Sequence, residues 1–251
     1  MGQDDNIKDD GPPCQEGEES GGSKLQDALF RLQLLGDDPY LRMQVFNLAL
    51  VDQFVTQLEQ EVIEKLIQEE RTPIPETAFL SAQSQMWIFA AYEIGRTWRA
   101  RADSIIKWAE NGILESRLQA LEKEVGYLHF GRQFRAAQIK RVLADPSIID
   151  RLKDDLIPFA RMEAIRVSIA KHEIKGRKNS VALRPGYGRI NQWFGSLDYE
   201  LENGAYSMGF ISRRDIANEI RALFDGSPPI DKTISEFDEY MRGPGIESQW
   251  S

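Results

Sequence analysis

The chain has 251 residues, 41% hydrophobic and 28% charged, and a formal net charge of −9, which is enough chain for one sizeable core. No window approaches the roughly eighteen consecutive apolar residues of a membrane span, and the first residues lack the basic and apolar regions of a secretory signal. A single cysteine, Cys14, and two histidines, His129 and His172, cannot make an internal disulfide or a usual zinc site, which excludes zinc chemistry and fits a reducing cytoplasm.

Residues 1–24 are acidic, glycine-rich and almost free of apolar side chains. Such a stretch cannot offset its ordering entropy by burial and reads as disordered. A short amphipathic piece, Leu25–Leu35, follows and ends at Gly36, so 1–36 reads as a tail with one short helix. Asp38-Pro39 is then a good helix start, a capping side chain ahead of a proline in the first turn. Leu41, Val45, Leu48, Val51, Val55, Leu58, Val62 and Leu66 recur at threes and fours, which predicts a long amphipathic helix to about Glu70. Thr72-Pro73-Ile74-Pro75 stops it.

The next predicted helix, Thr77 to Glu110, is apolar nearly all round at Met86–Tyr92. A helix apolar on every face is normally enclosed by others, so the expectation is a central core helix carrying Trp87 and Phe89. Glu93 interrupts the run, and Arg96 lies three residues on, within pairing reach on one face; a carboxylate at such depth needs a partner. Ile113–Glu124 and Tyr127–Leu143 read as further helices broken at Gly126. His129, in Tyr-Leu-His-Phe-Gly, reads as a packed core histidine. A helix over Pro146–Asp155 and another opened by Pro158 follow. The latter carries Arg166 and His172 and should stop near Gly176, which closes a helical bundle over 39–176.

Beyond Gly176 short β-rich runs, Val181–Arg184, Arg189–Phe194, Leu197–Leu201 and Tyr206–Ile211, alternate with turn signals. They predict a small antiparallel β-meander. Ser212-Arg-Arg-Asp215 resembles a capping box for a helix Arg213–Phe224. The segment 177–225 is thus a meander plus a helix, and 226–251 a polar, Pro/Gly-rich flexible tail. The fold class is mainly α: a helical bundle with a small C-terminal antiparallel β-meander and disordered termini.

No phosphate-cradling loop, dinucleotide-binding glycine pattern or serine-nucleophile elbow is present. What stands out is 161–189. Eight cations (Arg161, Arg166, Lys171, Lys175, Arg177, Lys178, Arg184 and Arg189) face only Glu163 and Glu173, a net of +6 in an acidic chain. A segment opposing the sign of its protein is a candidate anion site, and nucleic acid is the commonest large anion. A solvated helix end running into a charged loop gives the same charge pattern.

The run Ile165-Arg166-Val-Ser-Ile-Ala-Lys-His172-Glu173 resembles the arginine, four to six residues, histidine motif of the HEPN superfamily of helical ribonucleases and nucleic-acid-associated domains. Val167 stands where that family often has a polar residue. The resemblance covers roughly 39–176. It implies a metal-independent, cofactor-free endoribonuclease acting on RNA as a homodimer, with Arg166 and His172 catalytic in a site shared between subunits. It also implies a supporting role for the helix carrying Glu93 and Arg96.

The chemistry is consistent with that implication. Activating a ribose 2′-OH against the adjacent phosphorus needs a group titrating near neutrality, which an imidazole supplies. It also needs a fixed cation on the developing oxyanion, which a guanidinium supplies. Six residues along a helix rotate a side chain about 600°, leaving Arg166 and His172 about 120° apart. Ser168 and Lys171 are candidates to hold phosphate oxygens, with Lys175, Arg177, Lys178, Arg184 and Arg189 binding the nucleic acid backbone. The competing reading is a non-catalytic helical module that binds nucleic acid or a protein such as an antitoxin or regulator.

Overall fold

A computed structural model describes residues 21–123, 129–155, 157–170, 188–203 and 206–225. The N-terminal residues 1–20, the run Val181–Arg184, the helix end near Gly176 and the tail 226–251 lie outside these. Among the described residues there are eight helices: α1 (Gly21–Arg31), α2 (Pro39–Glu69), α3 (Ile74–Glu110), α4 (Leu114–Glu122), α5 (Phe130–Ala144), α6 (Ser147–Asp154), α7 (Phe159–Ala170) and α8 (Arg213–Arg221). Three strands, β1 (Gly188–Ile190), β2 (Leu197–Asn203) and β3 (Tyr206–Ser212), form an antiparallel sheet in the order β1-β2-β3. The mainly α class with a small C-terminal meander is therefore observed. No described helix is long and apolar enough to cross a membrane.

α2 starts where the capping chemistry says it should. The Asp38 carboxylate accepts from the backbone N–H of Tyr40 at 2.8 Å and of Leu41 at 3.2 Å, and Pro39 occupies the first turn. The other Asp38 oxygen takes Arg101 Nη1 of α3 at 2.6 Å, which ties the helix start to the bundle. Glu70 ends α2 in the left-handed region, and a short Pro-containing turn sends the chain back as α3. Lys65 meets Glu76, Phe54 meets Phe79 edge-on and Leu48 meets Trp87, an order that runs the two long helices antiparallel.

The core lies between these helices, α1, α7, α8 and the sheet. Gly95 of α3 lets α7 close in, because a Cβ there would sit 3.0 Å from Ile157 Cδ1 and 3.1 Å from Met162 Cε. The sheet lays one face on the helices: Leu197, Tyr199, Leu201 and Ile211 are buried. The backbone turning from α1 to α2 is satisfied by distant side chains, Trp98 Nε1 to Gln33 O at 2.8 Å and Gln138 Nε2 to Leu34 O at 2.9 Å. Ser212 and Asp215 make the reciprocal capping box at the start of α8, with Asp doing the work usual for Glu.

Four expectations need correction. His129 is exposed, not core; its Nδ1 caps α5 by accepting from Arg132 N at 3.3 Å. Glu93 is not deep either, for it and Arg96 form an exposed pair at 2.6 Å. The strand predicted over Arg189–Phe194 stops at Ile190. Asn191 diverts it into a turn by accepting from the N–H groups of Trp193 and Phe194 at 2.9 and 3.2 Å. Finally, α3 is not enclosed on all sides. Trp87, Ile88 and Ala91 are buried, but Met86 is 64% exposed.

Candidate functional site

α7 presents Arg166 towards α3. Its guanidinium lies over the Tyr92 ring, 4.6 Å from the centroid, and that ring stacks on Phe159 at 5.2 Å with an interplanar angle of 22°. An arginine held on an aromatic face is fixed in place while its N–H edge still has donors to offer. Ser168, two residues on, donates its hydroxyl to the Glu200 carbonyl of β2 at 2.7 Å, which occupies it in joining helix to sheet.

The sheet's outer face adds to this. Arg189 on β1 lies 5.4 Å from the Phe210 ring centre of β3 and 3.9 Å from the Glu200 carboxylate, and remains about half exposed. Glu200 pairs with Phe210 in the strand register, so Ser168 and Arg189, far apart in sequence, meet around one residue. At the β1–β2 turn Phe194 carries the Arg214 guanidinium at 5.3 Å, and Trp193 beside it is 83% exposed. Burial pushes the nearby Asp198 carboxyl up, partly opposed by the Asn191 amide that donates to it at 3.0 Å.

Of the predicted site residues, Arg166, Ser168 and Arg189 thus fall on or beside α7 and the sheet. Glu93 and Arg96 are engaged with each other at 2.6 Å. Glu93 follows Tyr92 by one residue, about 100° around the helix, and lines a separate groove between α2 and α3. His172, Lys171, Lys175, Arg177, Lys178 and Arg184 lie outside the described residues.

A second polar constellation was missed. Asp52 and Glu59 of α2 and Arg213 of α8 are fully buried. Arg213 donates to Asp52 from Nη1, to Glu59 Oε1 from Nε at 3.1 Å and Nη2 at 2.8 Å, and to Thr56 Oγ1 at 3.2 Å. Arg214 Nε reaches Glu59 Oε2 at 3.0 Å and Arg221 takes the second Asp52 oxygen. Burial outweighs the two arginines and pushes the Asp52 carboxyl up from its usual range.

All three Arg213 nitrogens and all four carboxylate oxygens are engaged within the cluster. The cluster clasps α8 to α2. Gly195, at φ +68°, packs the sheet's turn on the same helix, since a Cβ there would collide with the Glu59 carbonyl. A signal was present: Leu48, Asp52, Val55, Glu59 and Val62 continue one buried stripe at fours and threes, with two acids in apolar positions.

Compared with protein-family models, curated proteins and solved structures, the chain matches none.

Proposed function

We propose that this protein binds single-stranded RNA along α7 and the outer face of the sheet. The observation that carries the reading is the set of exposed rings there, Phe210 beneath Arg189 and Phe194 beneath Arg214 with Trp193 projecting beside them, while Arg166 is held nearby on the buried Tyr92 ring. Proteins that hold single strands pair exposed aromatic rings, on which bases stack, with arginines that follow the phosphates. The +6 stretch 161–189 runs through the same region of the chain.

Binding is read by fluorescence anisotropy with a labelled unstructured RNA. Trp193→Ala should weaken affinity about 10-fold, within the range for losing one stacked base. Arg189→Ala should weaken it less and flatten the salt dependence by about one phosphate contact. RNA binding indifferent to both changes and to salt would remove this surface from the function.

Metal-independent endoribonuclease action is the catalytic form of the same proposal. What favours it is the fixed position of Arg166, at the root of the segment that continues to His172. In that form His172 takes the 2′-OH proton as the 2′-oxygen–phosphorus bond forms, Arg166 stabilises the pentacoordinate phosphorane, and the phosphorus–5′-oxygen bond breaks with a proton passing to the departing 5′-oxygen. Cleavage of labelled RNA should then survive chelator and leave a 2′,3′-cyclic phosphate. Arg166→Ala and His172→Ala should each abolish it, without additive effects. RNA bound but never cut leaves a binding module; cleavage that persists in both variants would take these two residues out of the chemistry.

A further inference from the structure

The face of α2 and α3 that points away from the core carries a surface unlike the rest of the chain. Met43, Phe46, Leu50 and Phe54 on α2, with Phe79 and Met86 on α3, are each 45–64% exposed. Met43, Leu50 and Phe54 recur at sevens and fours, and Phe79 and Met86 at seven, so each helix has an outer apolar stripe besides its buried one. Between the stripes runs a groove of about 400 Å³, floored by Leu48, Val51, Trp87 and Ile94 and edged by Gln44 and Gln83.

Charge on it is confined to one end of the groove, where Glu93 lines it and is paired with Arg96. In a chain with 28% charged residues, the segments 43–58 and 77–92 hold one charged side chain, Asp52, and that one is buried. Ion pairs bound the face at its ends, Lys65 with Glu76 and Arg96 with Glu93. Taking about 200 Å² for a large side chain, six at half exposure offer on the order of 600 Å² of apolar surface. That is at the upper end of what a monomer leaves bare. With the intervening Gln and Ala positions it approaches the roughly 800 Å² per partner of a stable interface.

We infer that this face is the contact surface of a two-fold dimer of this chain. A second copy is the occupant that fits the charge. Two bodies of net charge −9 repel each other, and on this face the carboxylate that lines the groove, Glu93, is already paired with Arg96. An RNA would find no row of cations here, and a basic peptide would find only Glu93, already paired with Arg96. An isologous contact also needs a surface complementary to itself, and this one has both parts, protruding Met and Phe side chains and a groove between them. The two helix pairs would form a four-helix layer, with packing of the coiled-coil kind.

The inference does not rest on the RNA reading. Met86 and Gly95 are nine residues apart, half a turn beyond two full turns, so α7, packed at Gly95, lies across α3 from the dimer face. Each copy would keep its own RNA surface, facing outward, rather than share one.

The test is sedimentation equilibrium of the full chain over a dilution series, beside Leu50→Glu, Met86→Glu and Met43→Glu. Wild type should run at twice the 28.7 kDa chain mass. Each glutamate, at a position already exposed, should raise the dissociation constant at least about 100-fold, with the near-UV circular dichroism of a folded chain retained. Three sites keep the test valid if one variant misfolds. The inference is overturned by a wild type that stays monomeric at about 100 µM, or by a dimer that all folded variants leave intact. Photo-crosslinking from position 86 that lands on residues 226–251 of the same chain, or only on a different protein, overturns it as well.

Discussion

Replacing Arg213 with methionine should destabilise the fold by about 3–5 kcal/mol, seen as a lower urea midpoint with an unchanged slope. The reason is what stays behind. Methionine fills much of the volume, but Asp52 and Glu59 remain fully buried with their main donors gone. Arg221 keeps one contact to Asp52 and Arg214 one to Glu59, so the loss falls short of exposing two naked charges.

The loss should also depend on pH. Burial already pushes the Asp52 carboxyl up, and the Arg213 charge is the largest influence holding it down. Without Arg213 its folded pKa rises further above the unfolded value. A carboxyl with a raised folded pKa contributes stability below its unfolded pKa and loses that contribution as pH rises through the folded one. The difference between variant and wild type should therefore be larger at pH 7 than at about pH 5. A midpoint unmoved at pH 7 would mean the buried cluster does not clasp α8 to α2.

Trp87→Ala should cost about 3–5 kcal/mol as well. The ring is 1% exposed, its Nε1 donates to the Leu48 carbonyl at 3.1 Å, and the Arg213 guanidinium lies 5.5 Å from its centre. Truncation removes the packing, leaves a cavity and costs the guanidinium its aromatic face. Trp87→Phe separates the parts: most of the volume stays while the N–H is lost, for about 1–3 kcal/mol. Because Trp87 touches Arg213, the double variant should lose less than the two single losses added together. An alanine variant as stable as wild type would displace α3 from the centre of the fold.

The helices were legible in the sequence because their signals are local. Asp38-Pro39 caps and starts α2 whatever packs around it, and Ser212 to Asp215 closes a reciprocal box within four residues. Periodicity at threes and fours named most of the inner stripe of α2, and the turn residues after Gly176 announced strands. The same locality explains the errors. Asn191 diverts its strand through side-chain bonds to the two backbone groups ahead, which outweigh the β preference of Trp193 and Phe194.

Only the tertiary structure decided which apolar face is covered. Met86–Tyr92 reads as apolar all round, yet periodicity cannot tell a face buried in the core from one left open. Burial depends on what packs opposite, and nothing described packs over Met86. Partnership of charges is decided the same way. Asp52 and Glu59 find Arg213 more than 150 residues away, while Glu93 and Arg96, adjacent on one helix, pair in solvent. The basic stretch carrying Arg166 was plain from composition alone. That Arg166 rests on Tyr92, and that Ser168 and Arg189 converge on Glu200, follows from α3, α7 and the sheet coming together. Sequence spacing sets where side chains stand along one element; long-range packing sets what they meet.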